Sequence, residues 1–439
     1  MSNILVLGAG FVAAPLVEYL VRKGHAITLA SHLLHEAEAI SDLYETVSPI
    51  QLDVSDADAL STIVRDHDLV VSFVPYVFHI AVAKVCIKEA KHLVTASYET
   101  DEMRRLNQAA KDADVTVVNE IGLDPGIDHL SAMKIFDEIH QNGESLDSFV
   151  SWCGGIPAPS ANDNPLGYKF SWSPKSVLLA LLNDAKYIKD RKEEIIPSVD
   201  LLLNLDSVKI SDDITLEGYA NRDSTSYVHS YGIDEARKVL RGTLRYQGFG
   251  EIMQSCKELS LFNQRYDIMD YWSGRSWQEY LEEHCEVALS EYLDEKGPLV
   301  TEALEFLGLI DGDQPGLTIG KEESILDAFC DLLTDKLAYA DGESDMVVMQ
   351  HQFTSTNSAN EEVYRTSTLV LEGEPAGYSA MAKTVGTPSA IAADMILSGE
   401  ISRRGVVLPL TSDFYEPILT QLAQEGIELL ETTYTNKPN

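Results

Sequence analysis

Cysteine is scarce and scattered: five residues in 439 (Cys86, Cys153, Cys256, Cys285, Cys330), with no CxxC spacing. An odd, dispersed set supports neither a zinc site nor a disulfide framework, and points to reduced thiols in a cytoplasmic protein without a bound metal. Positive charge is also in short supply, 33 Lys and Arg against 70 Asp and Glu, for a formal net charge of −37. Such a surface repels phosphate backbones and anionic lipid, which excludes nucleic acid and membrane surfaces as partners. A substrate that is itself an anion would need cations gathered around it. No apolar run approaches the ~18 residues of a membrane span. The first residues, MSNILVLGAGF, lack the basic and apolar regions of an export signal, so none is expected. With 45% hydrophobic and 23% charged residues, disorder is excluded too. The length suggests two or three domains.

What is present first is alternation. Ile4–Leu7, Ala26–Ala30, Ile50–Val54, Leu69–Val74, His92–Ala96 and Thr116–Asn119 read as strands. Helical patterns at Pro15–Lys23, His35–Leu43 and Ile80–Ala90 separate them. Strands apolar throughout, divided by amphipathic helices, imply a parallel sheet covered on both faces, hence a doubly wound α/β domain. Beyond Ile127 the pattern changes. His129–Gln141 reads as a helix and Phe149–Trp152 as a strand, followed by a turn-rich stretch, Cys153–Ser173. Residues 252–339 read as helical and acidic, Asp345–Met349 and Thr366–Leu371 as strands, and Ser389–Leu397 as a buried helix.

Gly8-Ala9-Gly10-Phe11-Val12-Ala13 joins the first strand to the first helix and matches G-x-G-x-x-G/A. The first glycine makes the tight turn, the second clears room for a pyrophosphate, and Ala13 lets helix and strand approach. An acid ~20 residues further on would hold the ribose of NAD. The segment there is Leu29-Ala30-Ser31-His32, which has no acid. Ser31 and a protonated His32 suit a 2′-phosphate, so NADP is expected ahead of NAD. Asp53, read as ending the third strand, could border the adenine.

Several long segments are far more specific than that fingerprint. They include Val74-Pro75-Tyr76, Thr95-Ala96-Ser97-Tyr98 and Asn119-Glu120-Ile121-Gly122-Leu123-Asp124-Pro125-Gly126-Ile127-Asp128-His129. Cys153-Gly154-Gly155 and Asp163-Asn164-Pro165-Leu166-Gly167-Tyr168-Lys169-Phe170-Ser171-Trp172-Ser173 continue the series. Asn221-Arg222-Asp223-Ser224-Thr225 and Arg241-Gly242-Thr243-Leu244-Arg245-Tyr246-Gln247-Gly248-Phe249 complete it. With GAGFVAAP, they make the whole chain resemble the glutamate-forming saccharopine dehydrogenases, or saccharopine reductases.

The resemblance implies a Rossmann domain over 1–125, rejoined by about 385–439. It further implies a mixed α/β substrate-binding and dimerisation domain over 126–250 and 340–384, and a smaller helical domain over 251–339. The implied reaction cleaves saccharopine with NADP to L-glutamate and 2-aminoadipate 6-semialdehyde, reversibly, in a homodimer. Cofactor contacts carried over are Gly8, Gly10, Phe11, Val12, Ser31, His32, Asp53, Val54, Val74, Ala96, Ser97, Leu123, Asp124, Pro125 and Ser173. Substrate contacts are Ser97, Tyr98, Asp124, Cys153, Arg222, Leu244, Arg245 and Tyr246.

Residue chemistry agrees with that picture. Saccharopine has three carboxylates, and a guanidinium offers each a bidentate fork, so Arg222 and Arg245 are the expected anion ligands. Proton transfer to and from the secondary amine needs an acid/base. Asp124 ranks first, with Tyr98 beside it and Lys169 and His129 as further candidates. Nothing marks Cys153 as a nucleophile. A Cys-Arg-Thr segment, common after the second strand of fungal members, is replaced here by Ser31-His32-Leu33, and Pro197–Gly218 also departs from the family pattern. The chain lacks the extra N-terminal half of the bifunctional forms and is expected to stand alone. Two other readings are a dehydrogenase for another amine adduct, such as carboxyspermidine or carboxynorspermidine, and a non-catalytic NADP(H)-sensing regulator. Intact NPLGYKFSW and RGTLRYQGF segments argue against the second.

Overall fold

The computed structural model describes residues 1–312 and 315–435. The expected segments 251–339 and 385–439 include positions outside that set. The chain divides into two units: Met1–Leu146 with the chain from Ser355 onward, and Asp147–Thr354.

The first unit is built on β1 (Asn3–Leu7), β2 (Ala26–Ser31), β3 (Val47–Gln51), β4 (Leu69–Ser72), β5 (His92–Thr95) and β6 (Thr116–Val118). They lie in the order β3-β2-β1-β4-β5-β6, extended by the strand Gly405–Val407, and every pair is parallel. This is the doubly wound order, whose ligands bind at the carboxyl ends of the strands where the order reverses, between β1 and β4. All four residues of β4 and the last four of β1 are buried, as a sheet covered on both faces requires.

Four helices wind the first half: α1 (Ala13–Arg22), α2 (Leu34–Ser41), α3 (Ala57–Arg65) and α4 (His79–Lys88). The side chain of Asp56 starts α3 by accepting the N–H groups of Asp58 and Ala59. The long helix Ala380–Ser398 packs on α1. At Gly386 a Cβ would stand 2.6 Å from the Val12 carbonyl oxygen, so only glycine allows that approach.

Two strand and helix limits differ from the sequence reading. The third strand ends at Gln51, so Asp53 lies beyond it, in a turn where its carboxylate accepts the backbone and side chain of Ser55. The apolar helix begins at Ala380 rather than Ser389 and holds Pro388 inside it. Proline costs a helix interior about 3 kcal/mol, but burial of Ala380 and Met381 on one side and Ala390 and Ile391 on the other holds both halves.

The second unit contains β7 (Ser145–Pro157), β8 (Ala185–Lys189), β9 (Lys192–Ile196), β10 (Asp206–Lys209), β11 (Thr215–Ala220), β12 (Lys238–Arg245) and β13 (Asp345–Thr356). The order is β10-β11-β12-β7-β13, with β12 parallel to β7 and antiparallel to β11; the β8–β9 hairpin joins β12. Helices from Phe249–Glu258 to Ile325–Lys336 cover this sheet. One continuous core takes Trp152, Leu244 and Val348 from the strands and Phe249, Trp277 and Phe329 from the helices.

The stretch read as irregular from Cys153 is strand up to Pro157. Its glycines serve close packing rather than turning: a Cβ on Gly154 would stand 2.5 Å from the Leu244 carbonyl oxygen. Among the described residues, no helix is long and apolar enough to cross a membrane.

Candidate active site

In the first unit the β1–α1 turn forms an anion cradle. Gly8 has φ +102° and donates its N–H to the Ala30 carbonyl at 2.8 Å. Any larger residue there would be strained and would press a Cβ to 3.0 Å from the Phe73 carbonyl oxygen. Above it, a Cβ on Gly10 would meet nothing within 4 Å. The start of α1 at Val12 has no side-chain cap and no acid in its first turn. Its N–H groups and positive dipole end thus face an open space that suits a dinucleotide pyrophosphate. Phe11, 69% exposed, borders it.

At the end of β2 the Leu29–His32 segment holds no acid, as read from the sequence, but the fold brings one to it: the Ser31 hydroxyl donates to Glu36 Oε2 at 2.8 Å, from the first turn of α2. The Leu33 N–H donates to Ser31 Oγ at 3.2 Å. His32 is exposed, and its carbonyl accepts Gln51 Nε2 at 2.9 Å. Hydrogen bonds from the Ser55 hydroxyl and N–H hold Asp53 below the usual carboxylate range. Val54 and Val74 are partly buried against this unit's core.

Past β4 and β5, three side chains form a hydrogen-bonded chain, with Ser72 and His79 buried and Ser97 half-buried. Ser72 Oγ lies 3.1 Å from His79 Nδ1, and Ser97 Oγ 2.7 Å from His79 Nε2. Burial pushes the His79 imidazole down to about 4, so it is neutral near pH 7. Ala96 abuts the next loop, where a Cβ on Gly122 would come within 2.9 Å of its own Cβ. Tyr98 is half-buried.

That loop carries Leu123, Asp124 and Pro125 in a tight turn with a cis Asp124–Pro125 peptide. Gly122 donates to the Pro125 carbonyl at 2.9 Å, Ile127 to the Gly122 carbonyl at 2.9 Å, and Gly126 to Asp128 Oδ1 at 2.5 Å. Asp124 is half-buried, whereas Leu123 and Pro125 are buried. His129, fully buried, pairs with Glu120 Oε2 at 2.7 Å.

In the second unit, Cys153 on β7 lies opposite Thr243 of β12, and both Cys153 and Leu244 are buried. Arg245 ends β12, buried. Its guanidinium carbon lies 4.7 Å from the Tyr168 ring centre and 5.3 Å from that of Phe249, and Nη1 donates to the Leu244 carbonyl at 2.7 Å. Among the described residues its Nε has no hydrogen-bond partner. Tyr246 donates its hydroxyl to the Pro157 carbonyl at 3.0 Å.

Arg222 is exposed, with φ +52°, just beyond β11. The antiparallel register sets Glu217 opposite Arg245, so the two arginines lie toward opposite ends of the β11–β12 ladder. Ser173 is exposed, its hydroxyl 2.9 Å from that of Ser176.

Lys169 is held by Glu343 at 2.7 Å and Asp163 at 2.9 Å. Burial disfavours its charge, but those carboxylates outweigh burial and hold it above the usual lysine range. That pairing favours the charged form of the lysine. Sequence reasoning also left out His79 and Glu36. Arg241 is buried on β12 with its guanidinium carbon 4.2 Å from the Tyr227 ring centre. The signals were small: a histidine one position before the helix read from Ile80, and an acid in the first turn after β2.

Comparison with known proteins accords with both units. Residues 4–118 match the saccharopine dehydrogenase NADP binding domain, and residues 122–427 the saccharopine dehydrogenase C-terminal domain. The chain is 39% identical over 448 residues to a saccharopine dehydrogenase [NADP(+), L-glutamate-forming] of Pyricularia oryzae, covering 98% of each chain. It is 40% identical over 449 residues to the protein of that name from Saccharomyces cerevisiae, covering 98% of this chain and 99% of that one. The mitochondrial alpha-aminoadipic semialdehyde synthase of Bos taurus is 40% identical over 97% of this chain but 47% of its own length. The apo structure of the Saccharomyces cerevisiae saccharopine dehydrogenase (L-Glu forming) superposes with a TM-score of 0.90 at 39% identity, covering 99% of this chain and all of that one. This chain, with its doubly wound first unit and mixed second unit, belongs to the saccharopine dehydrogenase family.

Proposed function

We propose that this protein catalyses the reversible NADP(H)-linked cleavage of saccharopine to L-glutamate and 2-aminoadipate 6-semialdehyde. The observation that carries the reading is identity of 39–40% over nearly the full length of enzymes bearing that activity in their names. The pyrophosphate cradle at Gly8, Gly10 and α1 supports it.

When bound, NADP would supply the hydride chemistry at the carbon that bears the secondary amine. The protein's share is to bind, orient and move protons. Phe11, Val12, Ser31, His32, Asp53, Val54, Val74, Ala96, Leu123, Pro125 and Ser173 would hold the cofactor beside the two glycines. Arg222 and Arg245 bind substrate carboxylates, with Ser97, Tyr98, Cys153, Leu244 and Tyr246 lining the substrate. Asp124 takes the proton from the secondary amine and returns one as the amine departs, with Tyr98 beside it. The neutral His79 orients the Ser97 hydroxyl. Excluding stray water until the hydride has moved is the remaining task.

We further propose a cytoplasmic homodimer, with 251–339 as a helical subdomain. All five cysteines are free, which supports a reducing compartment. Ile195 (50%), Val199 (66%) and Leu203 (63%) expose apolar surface in one short stretch, which supports a covered face. Light scattering at twice the chain mass would support the dimer. For the reaction, purified protein should reduce NADP⁺ with saccharopine and not with carboxynorspermidine; the reverse preference would exclude saccharopine as the substrate.

A further inference from the structure

A 2′-phosphate is an acceptor-only, multiply charged group, and sites for it gather arginine or other cations at the end of β2. Between Lys23 and Arg65 this chain has no lysine or arginine, and that span contains all of β2, α2 and β3. The same span carries Glu36, Glu38, Asp42, Glu45 and Asp53. The Ser31 hydroxyl, which would donate to a phosphate, instead donates to Glu36 Oε2 at 2.8 Å. Its oxygen is occupied by the Leu33 N–H at 3.2 Å.

An ionised carboxylate and a phosphate are both acceptors, so placing them together costs repulsion and leaves neither satisfied. A ribose 2′-hydroxyl, by contrast, is a donor that a carboxylate binds well. Glu36 comes later in the chain than the usual acid, from α2 rather than from β2 itself, yet Ser31 fixes its carboxylate at the strand end.

We propose that Glu36, held by Ser31, is the residue that sets cofactor selectivity, by accepting an unphosphorylated ribose hydroxyl and opposing a 2′-phosphate. The protein therefore binds NADH with an affinity close to that for NADPH. This rests on reading the first unit as the cofactor site and deepens that reading at its adenosine end.

The test is calorimetric titration, without saccharopine, of NADPH and NADH, and of adenosine 2′,5′-bisphosphate and adenosine 5′-monophosphate. Wild-type protein should favour the 2′-phosphorylated member of each pair by less than about tenfold. Glu36→Gln keeps an acceptor for Ser31 and removes the charge, so it should shift both ratios toward the 2′-phosphorylated ligand by about threefold or more. A wild-type preference for NADPH of about tenfold or above overturns the proposal, as does a smaller shift in Glu36→Gln. Should that variant fail to fold, the wild-type ratios decide alone. No turnover is involved, so failure to oxidise saccharopine would count against the proposed reaction and leave this result standing.

Discussion

His79 Nε2 lies 2.7 Å from the Ser97 hydroxyl, with the other ring nitrogen 3.1 Å from the Ser72 hydroxyl. Burial lowers the folded-state pKa of His79 to about 4 from the usual 6.5. Below 6.5 the unfolded chain takes up a proton that the folded one refuses. Stability therefore falls as pH drops from 6.5 toward 4, and is fully present above that window. The loss between pH 7 and 5 is about 2 kcal/mol from this group. His79→Gln, which does not titrate, should show a correspondingly shallower decline in thermal midpoint over that range. Parallel declines in the two proteins would exclude His79 as the source.

The glycines of the cradle should separate folding from binding. Gly8→Ala meets both a positive φ and the Phe73 backbone, and should lower stability by about 1–2 kcal/mol. Gly10→Ala has free space around it and should unfold like wild type. Its Cβ would occupy the pyrophosphate cradle, so dinucleotide affinity should fall by about tenfold or more. Unchanged NADPH affinity in Gly10→Ala would remove this turn from the cofactor site.

Arg222 and Arg245 lie far apart along the β11–β12 ladder. The Asn221 N–H bonds the Arg241 carbonyl, which puts Arg222 level with Leu240, roughly 17 Å from Arg245 at ~3.4 Å per residue. Each should therefore meet a different carboxylate of an extended tricarboxylate. Hydrogen bonds to charged groups contribute roughly 1.5–3 kcal/mol, so each Arg→Ala change should cost about 10- to 100-fold in kcat/KM. The double variant should be close to additive in free energy at that separation. Arg→Lys should recover only part of the loss, because the fork is missing. Wild-type saccharopine KM in both Ala variants would dissociate the arginines from the substrate.

The first unit was largely legible because its strands are apolar throughout and its glycine turn has a fixed place between strand and helix. What the sequence hid followed from tertiary context. Pro388 reads as a stop, yet packing of both halves carries the helix through it. Gly154 and Gly155 read as a turn, yet both lie within β7, where a Cβ on Gly154 would collide with Leu244. Lys169 stands in the sequence without an obvious partner, and only the fold brings Glu343 and Asp163 to it. Glu36 is unremarkable on a polar helix until the fold brings its carboxylate to Ser31.

The most direct test of the central claim is product identification by mass spectrometry after incubating purified protein with saccharopine and NADP⁺. Oxidation at the carbon bearing the secondary amine on the aminoadipate side, followed by hydrolysis, yields L-glutamate and 2-aminoadipate 6-semialdehyde in equal amounts with NADPH. That is the result this account predicts. Formation of lysine and 2-oxoglutarate instead, or no products above the enzyme-free control, would contradict it.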